Sequence, residues 1–257
     1  IAELDITDSQ AVRAAVNDNN IDVVINCAAY TAVDAAETDE ARARVLNGDA
    51  PALLAKAVAE RGGEMVQIST DYVFDGQGHT PFTEQMPTGP RSVYGLTKLA
   101  GEKAVMAANP KHVIVRTAWL YSPYGHNFVK TMLHLGRERE RLNVVYDQIG
   151  TPTYAADLAK AVLDIVQRKD RIYGLYHYSN EGVTSWFDFT KTILKMVGIT
   201  TCDVQPILTA EYPTPAARPA YSVLSKAKIK RVYGVKVPYW EDSLRQCLKE
   251  LGENVQC

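Results

Sequence analysis

The strongest constraint on this chain's fold is an alternation of uninterrupted apolar runs with amphipathic segments through its first 120 residues. Three runs, "IDVVINCAA" (21–29), "EMVQIST" (64–70) and "HVIVRTAW" (112–119), are short and largely without a polar face. Such strands must be covered on both sides, the condition met in a parallel sheet flanked by helices. The intervening segments supply the helices. "DAPALLAKAVAERGG" (49–63) opens on Asp, repeats apolar residues at helical spacing and stops at Gly-Gly. "TKLAGEKAVMAAN" (97–109) stops before Pro110. The order specifies an α/β, doubly wound, Rossmann-like parallel sheet.

Ligands of such sheets bind beyond the carboxyl ends of the strands. Those ends read "NCAAYTAVD", "STDYVFDG" and "RTAWLYSPYG", rich in hydroxyls, small residues and aromatics. Beyond residue 120 the pattern loosens. "NFVKTMLHLGRERE" (127–140), "TYAADLAKAVLDIVQR" (153–168) and "WFDFTKTILKMVG" (186–198) read as helices, and "IYGLYHYSN" (172–180) as a strand. The Pro-rich stretch 205–224 reads as irregular. A chain of 257 residues, 46% hydrophobic and 23% charged, can bury a sizeable core. Its net charge of −2 offers no general attraction to nucleic acid or anionic membrane. No apolar run approaches the ~20 residues of a membrane span. Cys27, Cys202, Cys247 and Cys257 form neither a CxxC pair nor a zinc spacing, so reduced thiols are expected and Cys27 should be a small buried residue.

"SVYGLTKLAGEKA" (92–104) places Tyr94 four residues before Lys98, on one side of a helix. With 14 tyrosines in the chain, about one such pair is expected by chance, so the pair by itself reads first as two ordinary residues on a helix face. Asp71 is placed to cap a turn, Trp119 to fill a core, Asn127 to cap a helix and Arg218 to lie on the surface. His126 and His134 lack partners at metal-ligand spacing, and "GRERERL" (136–142) reads as a solvated helix face. One expected feature is absent from these residues: a glycine-rich turn after a first strand, whose amides meet a dinucleotide's pyrophosphate. The expectation is that roughly 25–35 further residues, one strand-turn-helix unit, precede Ile1.

With "STDYVFDG", "VYGLTKLAGEKA" and "RTAWLY" in that order, the chain resembles the extended short-chain dehydrogenase/reductases. Within them it is similar to the dTDP-4-dehydrorhamnose reductase family, through "AELDITD", "VVINCAAYTAVDAAE", "NFVKTML", "DQIGTPTYAADLA" and "RPAYSVL". The resemblance implies NADPH- or NADH-dependent reduction of a nucleotide-sugar ketone, in a cytoplasmic monomer or homodimer. It implies a dinucleotide-binding domain over 1–150 and a smaller, mainly substrate-binding lobe over 151–257, with crossings back to the sheet allowed. Tyr94 would donate the proton to the sugar's C4 oxygen, Lys98 would hold the nicotinamide ribose, and Thr70 would hydrogen-bond the reacting oxygen. Asp71, Trp119, Asn127, Phe128 and Arg218 would meet the substrate. Asp5, Ile6, Ala29, Tyr30 and Thr31 would line the adenosine and pyrophosphate side. Some relatives dimerise around magnesium, but no carboxylate cluster in the sequence supports a metal site.

This chemistry needs a hydride on carbon and a proton on oxygen. An unperturbed tyrosine titrates near ~10, and a neighbouring ammonium is expected to lower that value. The other readings are a non-catalytic relative resembling the regulatory β subunit of methionine adenosyltransferase, and a different nucleotide-sugar reductase or epimerase. The set Thr70, Tyr94 and Lys98 favours an enzyme over a binding module.

Overall fold

The computed structural model describes residues 4–256; Cys257 lies outside them. In chain order, α1 (Ser9–Asp18), β1 (Val23–Asn26), α2 (Val33–Ala36), α3 (Glu40–Arg44), α4 (Ala50–Glu60) and β2 (Glu64–Thr70) come first. They are followed by α5 (Val93–Ala108), β3 (His112–Thr117), β4 (Leu120–Tyr121), α6 (Phe128–Glu138), β5 (Arg141–Val145), β6 (Ile149–Gly150) and β7 (Thr153–Tyr154). The remainder comprises α7 (Ala155–Val166), β8 (Gly174–His177), β9 (Thr184–Ser185), α8 (Trp186–Met196), β10 (Asp203–Ile207), α9 (Ala227–Tyr233) and α10 (Trp240–Glu250). The main sheet runs β1-β2-β3-β8, every pair parallel.

The apolar runs are covered on both faces, as their composition requires. Met65 and Ile114 pack with Val12, Leu54, Val58 and Val105 from α1, α4 and α5. Their neighbours Val66, Val113 and Val115 point the other way, to Leu158, Val162 and Ile165 of α7 and Ile229 of α9. Alternation along a strand thus feeds two separate cores. The sheet is doubly wound.

A further core joins α6, α8 and α10 to the parallel pair β5 and β10, through Leu133, Val144, Phe189, Ile193 and Leu244. It takes in residues from Tyr121 onward, well before position 150, because α6 and β5 turn their apolar sides to α8. β8 leaves that region to join the main sheet beside β3.

Local expectations change in four places. Asp49 makes no cap, because the chain is already helical from Glu40 and passes through an i→i+5 turn at Val45–Asp49 before α4. The stretch 205–224 starts as a strand, since Val204 is buried against the α8 core. The solvated helix face "GRERERL" ends at Glu138, and Arg141 opens a strand whose Leu142 is buried. Cys27 is exposed rather than buried, just past the end of β1.

Candidate active site

The site is assembled where the end of β2 meets the start of α5. Thr70 terminates β2; its buried hydroxyl accepts the Tyr72 N–H at 3.3 Å and donates to Asp71 Oδ1 at 3.0 Å. α5 begins at Val93 because the Ser92 hydroxyl accepts the Gly95 N–H at 3.1 Å. Gly95 permits the contact between the two elements: a Cβ there would lie 2.2 Å from the Tyr72 carbonyl oxygen. Tyr94, in that first turn, meets the Tyr72 ring edge-on at 5.4 Å between centroids. Thr70 and Tyr94 therefore sit side by side.

Burial pushes the Tyr94 phenol above its ordinary value; Thr70 offsets part of this, while Asp71 and Tyr72 add to it. The expected lowering by a lysine is thus not found, and the physical reason is where Lys98 points. Its Nζ donates to the Ile68 carbonyl at 2.7 Å, and burial pulls the ammonium down to about 8. Tyr94 in this chain is a firmly protonated acid. Asp71 is the complementary case. It is 3% exposed, and burial pushes its carboxyl up to about 6 against the favourable influence of Thr70 and Ser222. Ser222 lies close enough to favour the charge without meeting hydrogen-bond geometry, so Asp71 Oδ2 has no partner. A buried acceptor with nothing to accept has capacity for a donor from outside the chain.

Trp119 follows β3 with φ at +49°, a left-handed conformation that costs a non-glycine residue roughly 1–2 kcal/mol. The packing around its ring holds it there. The indole stacks on Trp186 at 3.4 Å between centroids and 8° between planes, and Phe128 lies 4.5 Å from Trp186. A Cβ on Gly150 would come within 2.6 Å of the Trp119 ring. Trp119 touches both the α6–α8–α10 core and the Phe74–Phe82 cluster, so it stands where the two halves of the molecule meet.

The other expected residues are less alike. Asn127 caps α6, accepting from Lys130 N at 3.3 Å and donating to Ser122 O at 2.7 Å. Arg218 pairs with Asp34 Oδ2 at 2.6 Å and reaches Tyr72 Oη at 3.4 Å, beside a small cavity also lined by Arg91 and Ser92. On the β1 side, Ala29 and Tyr30 are half-buried and Thr31 is exposed. Asp5 turns its carboxylate onto Thr7, and Ile6 packs against the α1–α4 core. Among the described residues no group of three or more His, Cys, Asp or Glu gathers as a metal site, and no helix is long and apolar enough to cross a membrane.

Three participants carry no signal in the spacing of the sequence. Asn47 clasps the Tyr30 backbone at 2.8 and 3.1 Å and donates to Thr97 Oγ1 at 3.1 Å, tying the β1 loop to α5. In sequence it sits in "LNGD", which reads as a turn. Trp186 is an aromatic opening a helix, a hint of packing only. Ser222 reaches Asp71 from a segment more than a hundred residues away.

A parallel sheet with a Thr, a Tyr and a Lys near the carboxyl ends of its strands is the arrangement that the resemblance to the extended short-chain dehydrogenase/reductases implies. More narrowly, the chain belongs to the family described as the RmlD substrate binding domain, which matches residues 1–253. It is 44% identical to a dTDP-4-dehydrorhamnose reductase of Sinorhizobium fredii over 250 residues, 94% of this chain and 84% of that one. A crystal structure of a dTDP-4-dehydrorhamnose reductase from Clostridium acetobutylicum superposes with a TM-score of 0.93 at 46% identity, covering 97% of this chain and 88% of the other. The Bacillus anthracis enzyme, solved in complex with NADP, gives 0.92 at 42% identity, with 96% and 87% covered.

Proposed function

We propose that this protein reduces the C4 ketone of dTDP-4-dehydro-L-rhamnose to give dTDP-L-rhamnose, using NADPH or NADH, in the supply of rhamnose for cell-surface polysaccharide. The observation that carries this reading is the buried pair Thr70 and Asp71 at the end of β2 with the half-buried Tyr94 of α5 beside them, within a chain more than two-fifths identical to named reductases. The nicotinamide supplies the hydride. This chain's residues supply position and the proton. Tyr94 is a weak acid here, and the developing alkoxide is basic enough to take its proton. Thr70 adds a fixed hydrogen bond to the same oxygen. Asp71 Oδ2, unpartnered and dry, accepts from a sugar hydroxyl, and that donor would return the carboxyl to its charged form.

Lys98 would hold the ribose hydroxyls, with Asp5, Ile6, Ala29, Tyr30 and Thr31 on the adenosine and pyrophosphate side. Trp119 and Phe128 would flank the sugar, and Arg218 would exchange Asp34 for the diphosphate. Asn127 would act by shaping the loop before Phe128, because both ends of its side chain are committed there. Residues 1–150 would carry most of the cofactor site and 151–257 most of the substrate lobe, the packing from Tyr121 onward moving that division toward residue 120. A cytoplasmic location fits the free thiols of Cys27, Cys202 and Cys247.

The test is a panel of nucleotide sugars offered to the purified protein with each nicotinamide cofactor. Oxidation of cofactor with dTDP-4-dehydro-L-rhamnose, and product co-eluting with dTDP-L-rhamnose, is expected. Turnover confined to a different nucleotide sugar would replace the substrate assignment.

A further inference from the structure

Glu102 takes no part in the reaction as drawn above, yet it is one of the most deeply buried charged residues in the molecule, 1% exposed. It lies one turn after Lys98 on α5. Its Oε1 accepts from Ser69 Oγ at 2.5 Å and from Arg116 Nε at 2.8 Å, and its Oε2 accepts from Arg116 Nη2 at 2.7 Å. The bidentate fork fixes the carboxylate in angle as well as distance. Arg116, on β3, is itself buried and rests its guanidinium 5.0 Å from the centre of the Phe74 ring.

This pair is joined to the strand that ends in Thr70. Ser69 precedes Thr70 directly. The Ile68 carbonyl accepts both from Lys98 Nζ, at 2.7 Å, and from Gln67 Nε2, at 2.8 Å. Gln67 in turn accepts from Asn26 Nδ2 of β1 at 2.9 Å. Three consecutive residues of β2 are thus pinned from both sides. A buried ion pair is a poor source of stability in itself, since apolar groups of similar volume often do as well or better. Its position one turn from a buried lysine calls for a different account.

We propose that Glu102, clamped by Arg116, is a positioning residue that keeps the Lys98 ammonium charged and in register with Thr70. The proposal rests on the reductase reading above, in which Lys98 holds the ribose hydroxyls. The geometry is supported by the local electrostatics. Burial is the largest influence on Lys98 and opposes its charge; Glu102 is the main group favouring it, with Cys27 from the end of β1 the other. His177, which faces Arg116 from β8, is held neutral by burial and by that guanidinium, its value lowered to about 3. It adds no competing charge.

The experiment titrates Lys98 directly, by carbon NMR of protein labelled at the lysine Cε, in the parent, in Glu102→Gln and in the double variant Glu102→Gln/Arg116→Gln. The double variant leaves no unpaired buried guanidinium, so it reports even if the single one does not fold. The Lys98 midpoint should fall by about one pH unit in Glu102→Gln, and by less in the double variant, where the opposing Arg116 charge goes too. The ratio of turnover at pH 8 to turnover at pH 6 should drop about fivefold with a one-unit fall. Restoration of the parent midpoint by Glu102→Asp would add support. An unchanged Lys98 midpoint, or turnover lost equally at both pH values, would overturn the proposal and leave Glu102 as scaffolding. The NMR readout requires no substrate, so failure of the rhamnose assignment would be seen separately.

Discussion

The two sides of the candidate site are held by different forces. At the end of β2, Thr70, Asp71 and Lys98 are buried and set by directional hydrogen bonds, with Tyr94 held against the Tyr72 ring beside them, and displacement by an ångström breaks such bonds. Across from them, Trp119, Trp186 and Phe128 are set by ring area, with Trp119 pressed into a left-handed backbone by its neighbours. Stacked rings tolerate sliding. The contrast divides the labour: changes on the polar side should register in turnover, and changes on the aromatic side in substrate affinity.

The largest expected effect tests the polar side. Tyr94→Phe keeps the ring against Tyr72 and removes only the proton donor. Turnover should fall at least about a hundredfold, while the affinity for the nucleotide sugar changes little. Steady-state kinetics beside a binding titration separates the two quantities. Near-normal turnover would remove Tyr94 from the chemistry and return it to the helix face.

The aromatic side should respond the other way and less strongly. Trp119→Ala takes away contact area with the sugar but leaves a Cβ on the same left-handed backbone, so the fold loses packing without losing the strain. The Michaelis constant for the sugar nucleotide should rise about tenfold, with that for the cofactor nearly unchanged. Trp186→Ala, which removes the ring behind Trp119, should produce a smaller change of the same kind. Equal rises for both ligands would mean that the stack supports the whole junction between the halves and does not serve the sugar alone.

This division also explains what could be read before the fold was seen. The sheet was legible because its strands need cover on both faces, a requirement written in "VVIN", "EMVQIS" and "HVIV" themselves. Tyr94 and Lys98 were legible as a spaced pair, and Thr70 and Asp71 as a strand end. What was not legible depends on approach through space. The orientation of Lys98 toward Ile68, which overturns the expected lowering of Tyr94, follows from the depth of α5 against β2 and from Gly95 letting them close. Cys27 reads as buried because its neighbours are apolar, but it falls one residue past the strand, where the chain has left the sheet. Trp186 and Ser222 reach the site from segments whose own patterns concern only local packing.

The smallest effect is the sharpest test of how dry the polar side is. The Asp71 carboxyl is raised from its ordinary 3.8 to about 6, chiefly by burial. Between those values the folded chain keeps a proton that the unfolded chain has released, so stability falls as pH rises from about 4 to about 6 and stays lower above that. Two pH units bound the cost at about 3 kcal/mol. Asp71→Asn cannot ionise, though its amide still occupies a pocket with one unsatisfied position, so we expect about 1 kcal/mol to be recovered. In the ligand-free protein the variant should therefore melt a few degrees above the parent at pH 8 and a few degrees below it at pH 4, where the parent no longer carries the buried charge. Its affinity for the sugar should drop at the same time, because Oδ2 is lost as a charged acceptor. A melting difference that is the same at both pH values would show that Asp71 is not paying a burial cost. Its unpartnered oxygen would then be no sign of a missing hydroxyl.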